Sequence, residues 1–205
     1  MIERRHILRS GLALVALTAA PSVALADQVE DAEAFIEERG NKLLDILGMA
    51  PGDARRDAFR DWLNGSFNLN LIGKLALGPF LQQATPDQLE AYTKAFSDYI
   101  VVTYESRFDT FTGYNLQVLR GRPAGSKDSI VQTLISYGND TFNVDFRVRQ
   151  EASDDLDVID VMVQNVSMLK TQQDEFRSVI QRSGLDGLID GLKEQTAEIE
   201  AQAQS

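Results

Sequence analysis

The sequence predicts an α+β domain, a curved antiparallel sheet of about four strands packed by helices on one side. Three observations carry this. Apolar residues recur every three or four positions as far as Gly113, alternate with polar ones from Tyr114 onward, and return to helical spacing around Phe176. Helices, then strands, then helices again describe segregated layers rather than alternating βαβ units. The longest helix signal, Thr85 to Gly113, carries an aromatic face that must be buried against something large.

The first helix starts at Asp27, a natural cap with Glu30 three residues on. It keeps Val29, Ala32, Ile36, Leu43 and Leu47 on one face until Gly48 and Pro51 stop it. Asp53 caps a second helix bearing Phe59, Trp62 and Leu63, broken at Asn64-Gly65-Ser66, and Leu69, Ile72, Leu75 and Ala76 make a third, ended by Gly78-Pro79. In the long helix Thr85 is the N-cap, Pro86 takes the first helical position and Gln88 completes a capping box. Leu89, Tyr92, Phe96, Tyr99, Ile100, Tyr104, Phe108 and Phe111 form its apolar face. Such a face closes into ordinary core or walls an apolar ligand cavity, and periodicity alone does not separate the two.

Beyond Gly113 the period is two. Tyr114, Leu116 and Val118 alternate with polar neighbours, Ile130 to Tyr137 is rich in β-branched residues, and Phe142, Val144, Phe146 and Val148 alternate with Asn143, Asp145, Arg147 and Arg149. Gly138-Asn139-Asp140 is a tight connection and Glu151 to Asp155 a polar one, so the last three strands form a meander whose final member runs from Leu156 to Val166. A closing helix carries Phe176, Val179 and Ile180, is interrupted near Gly184, and resumes through Leu185, Leu188, Ile189 and Leu192. Its polar tail from Glu194 is expected to fray.

Residues 1–26 read as a cleaved export signal: Arg4, Arg5 and Arg9, an apolar run from Gly11 to Ala20, and an A-x-A site at Ala24-Leu25-Ala26. The order Arg4-Arg5-His6-Ile7-Leu8-Arg9 suits twin-arginine export, and general secretion suits it equally. Residues 27–205 then form one domain. Cleavage removes Glu3, Arg4, Arg5, His6 and Arg9, moving the net charge from −11 to −13. That balance argues against nucleic acid and against tight adsorption to anionic membranes. The chain has no cysteine, and its one histidine lies in the signal. Disulfides, thiolate nucleophiles, histidine bases and His/Cys metal clusters are therefore excluded from the processed protein, and neither a cofactor nor a catalytic group is expected.

Gly121-Arg-Pro-Ala-Gly-Ser-Lys127 has the wrong spacing for a phosphate loop and reads as a hairpin connection. Asp154, Asp155, Asp157 and Asp160 lack a glycine-bearing ligand loop and read as structural. Arg120, Arg122, Lys127, Arg147 and Arg149 gather on the strands, where a solvated outer face is the plainer account and a docking face the sharper one.

Four stretches together resemble the MlaC, or toluene-tolerance, family of periplasmic phospholipid-binding proteins. They are Ala76-Leu77-Gly78; Ala84-Thr85-Pro86 with Gln88, Tyr92, Phe96 and Tyr99; Val144-Asp145-Phe146; and Asp160 with Val166-Ser167-Met168, then Gly184-Leu185-Asp186-Gly187-Leu188. The chain departs from the family's usual aromatics near Leu156 and Ile159 and from the glycine often found at Asn165. The resemblance implies an apolar cavity between helices and sheet. It also implies a monomeric periplasmic carrier that shuttles phospholipid between an outer-membrane lipoprotein complex and an inner-membrane ABC transporter with its MCE-domain protein. The expected lining is Ile72, Leu75, Phe96, Ile100, Tyr104 and Phe108 from helices, Leu116, Val118, Leu134, Phe146 and Val148 from strands, and Met162, Val166 and Met168 beyond. A carrier of another lipid such as a hopanoid, or an exported carboxylate-dependent enzyme in a cone-shaped α+β fold, is the rival. The enzyme would need two carboxyls converging in a pocket.

Overall fold

The computed structural model describes residues 21–107, 113–151 and 155–203. Helices α1 (Pro21–Leu47), α2 (Asp53–Ser66) and α3 (Leu69–Leu77), a 3-10 turn at Gly78–Gln83 and helix α4 (Pro86–Arg107) precede the sheet. Strands β1 (Tyr114–Pro123), β2 (Asp128–Tyr137), β3 (Asp140–Gln150), β4 (Leu156–Val163) and β5 (Val166–Ser167) follow, and α5 (Met168–Ala203) closes the chain. The five strands lie in sequence order, every pair antiparallel. Among the described residues no helix is long and apolar enough to cross a membrane.

Most element ends follow local chemistry. At α4 the capping box forms as expected: the Gln88 amide N–H donates to Thr85 Oγ1 at 3.2 Å and the Thr85 N–H to Gln88 Oε1 at 3.1 Å. Asn68 caps α3 by accepting from the Leu71 N–H at 3.0 Å and also donates to Asp157 at 2.9 Å, which pins the α2–α3 junction to β4. Gly184 breaks α5 with φ 74° and ψ 178°.

Five boundaries differ from the sequence reading, the first being that α2 runs through Asn64 and Gly65 to Ser66 instead of breaking there. Asp27 lies inside α1, because nothing between Pro21 and Asp27 breaks a helix of alanine and leucine. Asp53 is the first residue of α2, with Gly52 as the cap. The last strand divides at Gln164 and Asn165, whose φ values of 49° and 67° make a two-residue turn between the Val163–Val166 pair. Asparagine tolerates this left-handed conformation next best after glycine. The tail beyond Glu194 continues as helix to Ala203.

The core is not one body. Tyr92 and Phe96 of α4 pack on Phe176 of α5 with ring centroids 6.1 Å apart, joined by Ala76 and Leu77 of α3. Ile46 and Leu47 of α1 pack on Phe59, Trp62 and Leu63 of α2. Ala32, Phe35 and Ile36 of α1 pack on Val131, Val148 and Val158 of the sheet. Helix α1, rather than the long α4, lies against β1 to β3, and α4 is sandwiched mainly by α3 and α5. The upper half of the aromatic face of α4 is therefore ordinary core. Tyr92 is fully buried and donates to the Gly73 carbonyl at 2.9 Å, and burial pushes its hydroxyl pKa up.

Opposite the inner face, Asp128 is only 3% exposed and takes hydrogen bonds from Arg147 Nε at 2.7 Å and Arg149 Nε at 2.7 Å. Arg120 donates to Gln132 at 2.6 Å. Three of the five strand cations thus hold the sheet together. Burial alone would raise the Asp128 carboxyl, but hydrogen bonds from Arg149 and Arg147 and their charges outweigh it and hold the pKa below 3.8. A lowered carboxyl stabilises the fold above its unfolded pKa and loses that contribution as pH falls through the folded value. Asp128→Asn is expected to cost about 1–3 kcal/mol at neutral pH, a gap that narrows below pH 3.8. Urea denaturation of both proteins at pH 7 and pH 3 checks this, and a gap independent of pH would refute it.

Candidate functional site

Where the three clusters meet they do not close. Between them lies a cavity of about 420 Å³, partly open to solvent and walled mainly by apolar atoms. Helix α1 supplies Ile36, Leu43, Leu44 and Leu47, α2 supplies Phe59, Trp62 and Leu63, and α3 and α4 add Leu69, Ile72, Phe96, Ile100 and Tyr104. The sheet contributes Leu116, Ile135, Phe142, Val144, Phe146, Val158, Val161 and Val163, and Met168 and Leu169 close the side toward α5.

Local sequence explains each wall. On β2 and β3 the inward residues are alternate ones, Ile135 opposite Phe142 and Val131 opposite Phe146, so the pleat turns one full row inward, and Ile135, Phe142, Val144 and Phe146 of that row reach the cavity. Gly40 lets α1 lie close on β1, since a Cβ there would stand 3.1 Å from Leu116 Cδ2. Gly121 does the same farther along: its N–H is held by Glu33, and a Cβ would meet Val29 Cγ1 at 2.6 Å. The Trp62 indole N–H donates to the Arg39 carbonyl at 2.8 Å, tying α2 to α1 while its ring faces the cavity.

Of the expected lining residues, the structure brings Ile72, Phe96, Ile100, Tyr104, Leu116, Phe146 and Met168 to this cavity. Six others stand elsewhere. Leu134 and Met162 fall on the opposite face, one residue out of phase with Ile135 and Val161. Val118 and Val148 are on the inner face but are spent packing against α1. Leu75 lies on α3 away from the cavity, where its carbonyl accepts from Gln173 at 2.8 Å. Val166 is 55% exposed on the two-residue β5. Phe108 and Phe111 lie outside the described residues. The lining from α1 and α2 was missed. The stripe of Ile36, Leu43 and Leu47 was visible in the sequence, but nothing in it told a packed face from a cavity wall.

Among the described residues two charged side chains reach the lining, Arg39 and Asp160. Asp160, 9% exposed, accepts from Ser167 Oγ at 2.6 Å and the Leu169 N–H at 3.0 Å, so its charge is taken up by the first turn of α5. Asp157 is held by Asn68. Neither is a free acid or base. Two buried polar atoms of the lining, Arg39 Nε and Ser66 Oγ, have no hydrogen-bond partner among the described residues. Among those residues no three His, Cys, Asp or Glu side chains are grouped to hold a metal ion. The arrangement can shelter a long apolar ligand, and among the described residues its lining holds one carboxylate, Asp160.

The family described as MlaC protein matches residues 40–194, from the middle of α1 to near the end of α5. Among solved structures the chain is similar to the phospholipid-binding protein from Ralstonia solanacearum in complex with a phospholipid. The two share 20% sequence identity with a TM-score of 0.70, over 82% of this chain and 98% of that one. At that identity the likeness is one of fold.

Proposed function

The chain belongs to the MlaC family, and from that premise we propose that it is a periplasmic phospholipid carrier. The observation that carries this is the apolar cavity of about 420 Å³ held open where three packed clusters meet. The solved neighbour of the same fold holds a phospholipid, and a net charge of −11, becoming −13 once the signal is removed, keeps such a carrier from sticking to anionic bilayers. Sheltering one methylene from water contributes about 0.8 kcal/mol, so a sixteen-carbon chain crossing water unprotected meets a cost on the order of 13 kcal/mol. A dry cavity removes most of it. Ile72, Phe96, Ile100, Tyr104, Leu116, Phe146 and Met168 are the expected acyl contacts, and Met168 adapts to tails of differing shape.

The fuller reading places the protein in an Mla-type system. After cleavage at Ala26 it shuttles lipid between an outer-membrane lipoprotein complex and an inner-membrane ABC transporter with its MCE-domain protein. A carboxylate-dependent enzyme gains no support, because Asp160 is the one carboxylate of the described lining and is already engaged. Protein purified from cells after export is expected to carry co-purifying phospholipid in native mass spectrometry and to take up labelled lipid from vesicles. Lipid-free protein that takes up none would overturn the proposal.

A further inference from the structure

Arg39 stands out in the cavity wall. Its guanidinium carbon lies over the Phe35 ring, 5.1 Å from the ring centre and within reach of a cation–π contact. The buried Nε has no acceptor. No carboxylate pairs with Arg39 among the described residues, although α1 alone carries Glu33, Glu37, Glu38 and Asp45 nearby. In a chain this acidic, a guanidinium left without an anion at the edge of an apolar cavity needs an explanation. Asp160, the other charged lining residue, has its partners already. The one cation of the described lining is therefore the group still able to receive an anion brought by a ligand.

We propose that Arg39 is the anionic-group anchor of the cavity: its guanidinium binds the phosphate of the lipid while the acyl chains fill the apolar space behind it. This rests on the carrier reading above and deepens it, since it makes the site selective for phosphate-bearing diacyl lipids over uncharged ones. A guanidinium matches a phosphate with two parallel N–H donors, which an ammonium does not. Arg39 is half-buried rather than sealed, so the phosphate can keep part of its hydration while it is bound. The Trp62–Arg39 hydrogen bond holds the backbone at this point of α1, so the anchor sits on a rigid element.

The test uses the purified protein exchanged against vesicles holding equal amounts of phosphatidylglycerol, phosphatidylethanolamine and diacylglycerol, with the bound lipids counted by native mass spectrometry. Wild type is expected to prefer the two phosphate-bearing lipids over diacylglycerol by about tenfold or more. Arg39→Met keeps an apolar stem over Phe35 but removes charge and donors. It should lose the preference, loading the two phosphate-bearing lipids about tenfold less well relative to diacylglycerol than wild type does. Arg39→Lys keeps the charge without the fork and should retain only part of it, which also gives a second variant should the first fail to fold. A wild type indifferent to phosphate, or an Arg39→Met protein with the wild-type preference, would overturn the inference and leave the carrier reading standing. Wild type that loads none of the three lipids overturns both.

Discussion

Ile135→Trp is expected to abolish lipid uptake while leaving the protein folded. Ile135 lies on β2 between Leu116 and Phe142, half-buried on the cavity wall, so a larger ring there has open space to enter rather than a packed core to disrupt. Overpacking in a filled interior costs about 1–3 kcal/mol, and at this wall the cost should fall at or below that range. Displacing even four methylenes of a bound chain removes about 3 kcal/mol of binding, more than a hundredfold in affinity. Vesicle uptake and native mass spectrometry measure the loss, and circular dichroism with thermal melting confirms the fold. A folded variant with full lipid occupancy would show that the ligand, if any, lies elsewhere.

The opposite dissociation is expected of Phe96→Ala. Phe96 is 1% exposed, with its ring centroid 5.9 Å from that of Tyr92 and 6.1 Å from that of Phe176, and one side of it lines the cavity. Gly73 lies so close that a Cβ there would meet Phe96 Cδ1 at 2.9 Å. Helices α3, α4 and α5 therefore converge on this one ring. Truncation should cost about 3–5 kcal/mol and lower the melting temperature by roughly 10 °C, while enlarging the cavity rather than closing it. Denaturant unfolding measures the change. A loss under about 1 kcal/mol would mean that the ring is not the joint between the three helices.

Neither effect could be ranked from sequence, though much of the frame was visible there. The Thr85–Gln88 capping box, the break at Gly184 and the Gly138-Asn139 hairpin were readable because each is fixed by residues within four positions of one another. The turn at Gln164 and Asn165 was missed because it interrupts an apolar run without a glycine, leaving Asn165 as its one local signal. Four of the expected lining residues stand off this cavity for a definite reason. Leu134 and Met162 are as apolar as Ile135 and Val161 but lie one step away along a pleat whose phase is set by the partner strand. Val118 and Val148 have the right phase, yet α1 covers them.

The order of elements, their ends and their buried faces came from the chain itself, because hydrophobic periodicity and capping act over a few residues. The exclusion of thiol chemistry came from composition alone. Which helix lies on the sheet, and whether the buried faces touch or stand apart, was decided only in three dimensions. A buried face is specified by the removal of apolar atoms from water, and that condition is met equally by a packed neighbour and by a sheltered hollow. The volume left between α1, α2, α4 and the strands depends on Gly40 and Gly121 setting α1 close to β1 while Trp62 and Phe96 hold the other walls away.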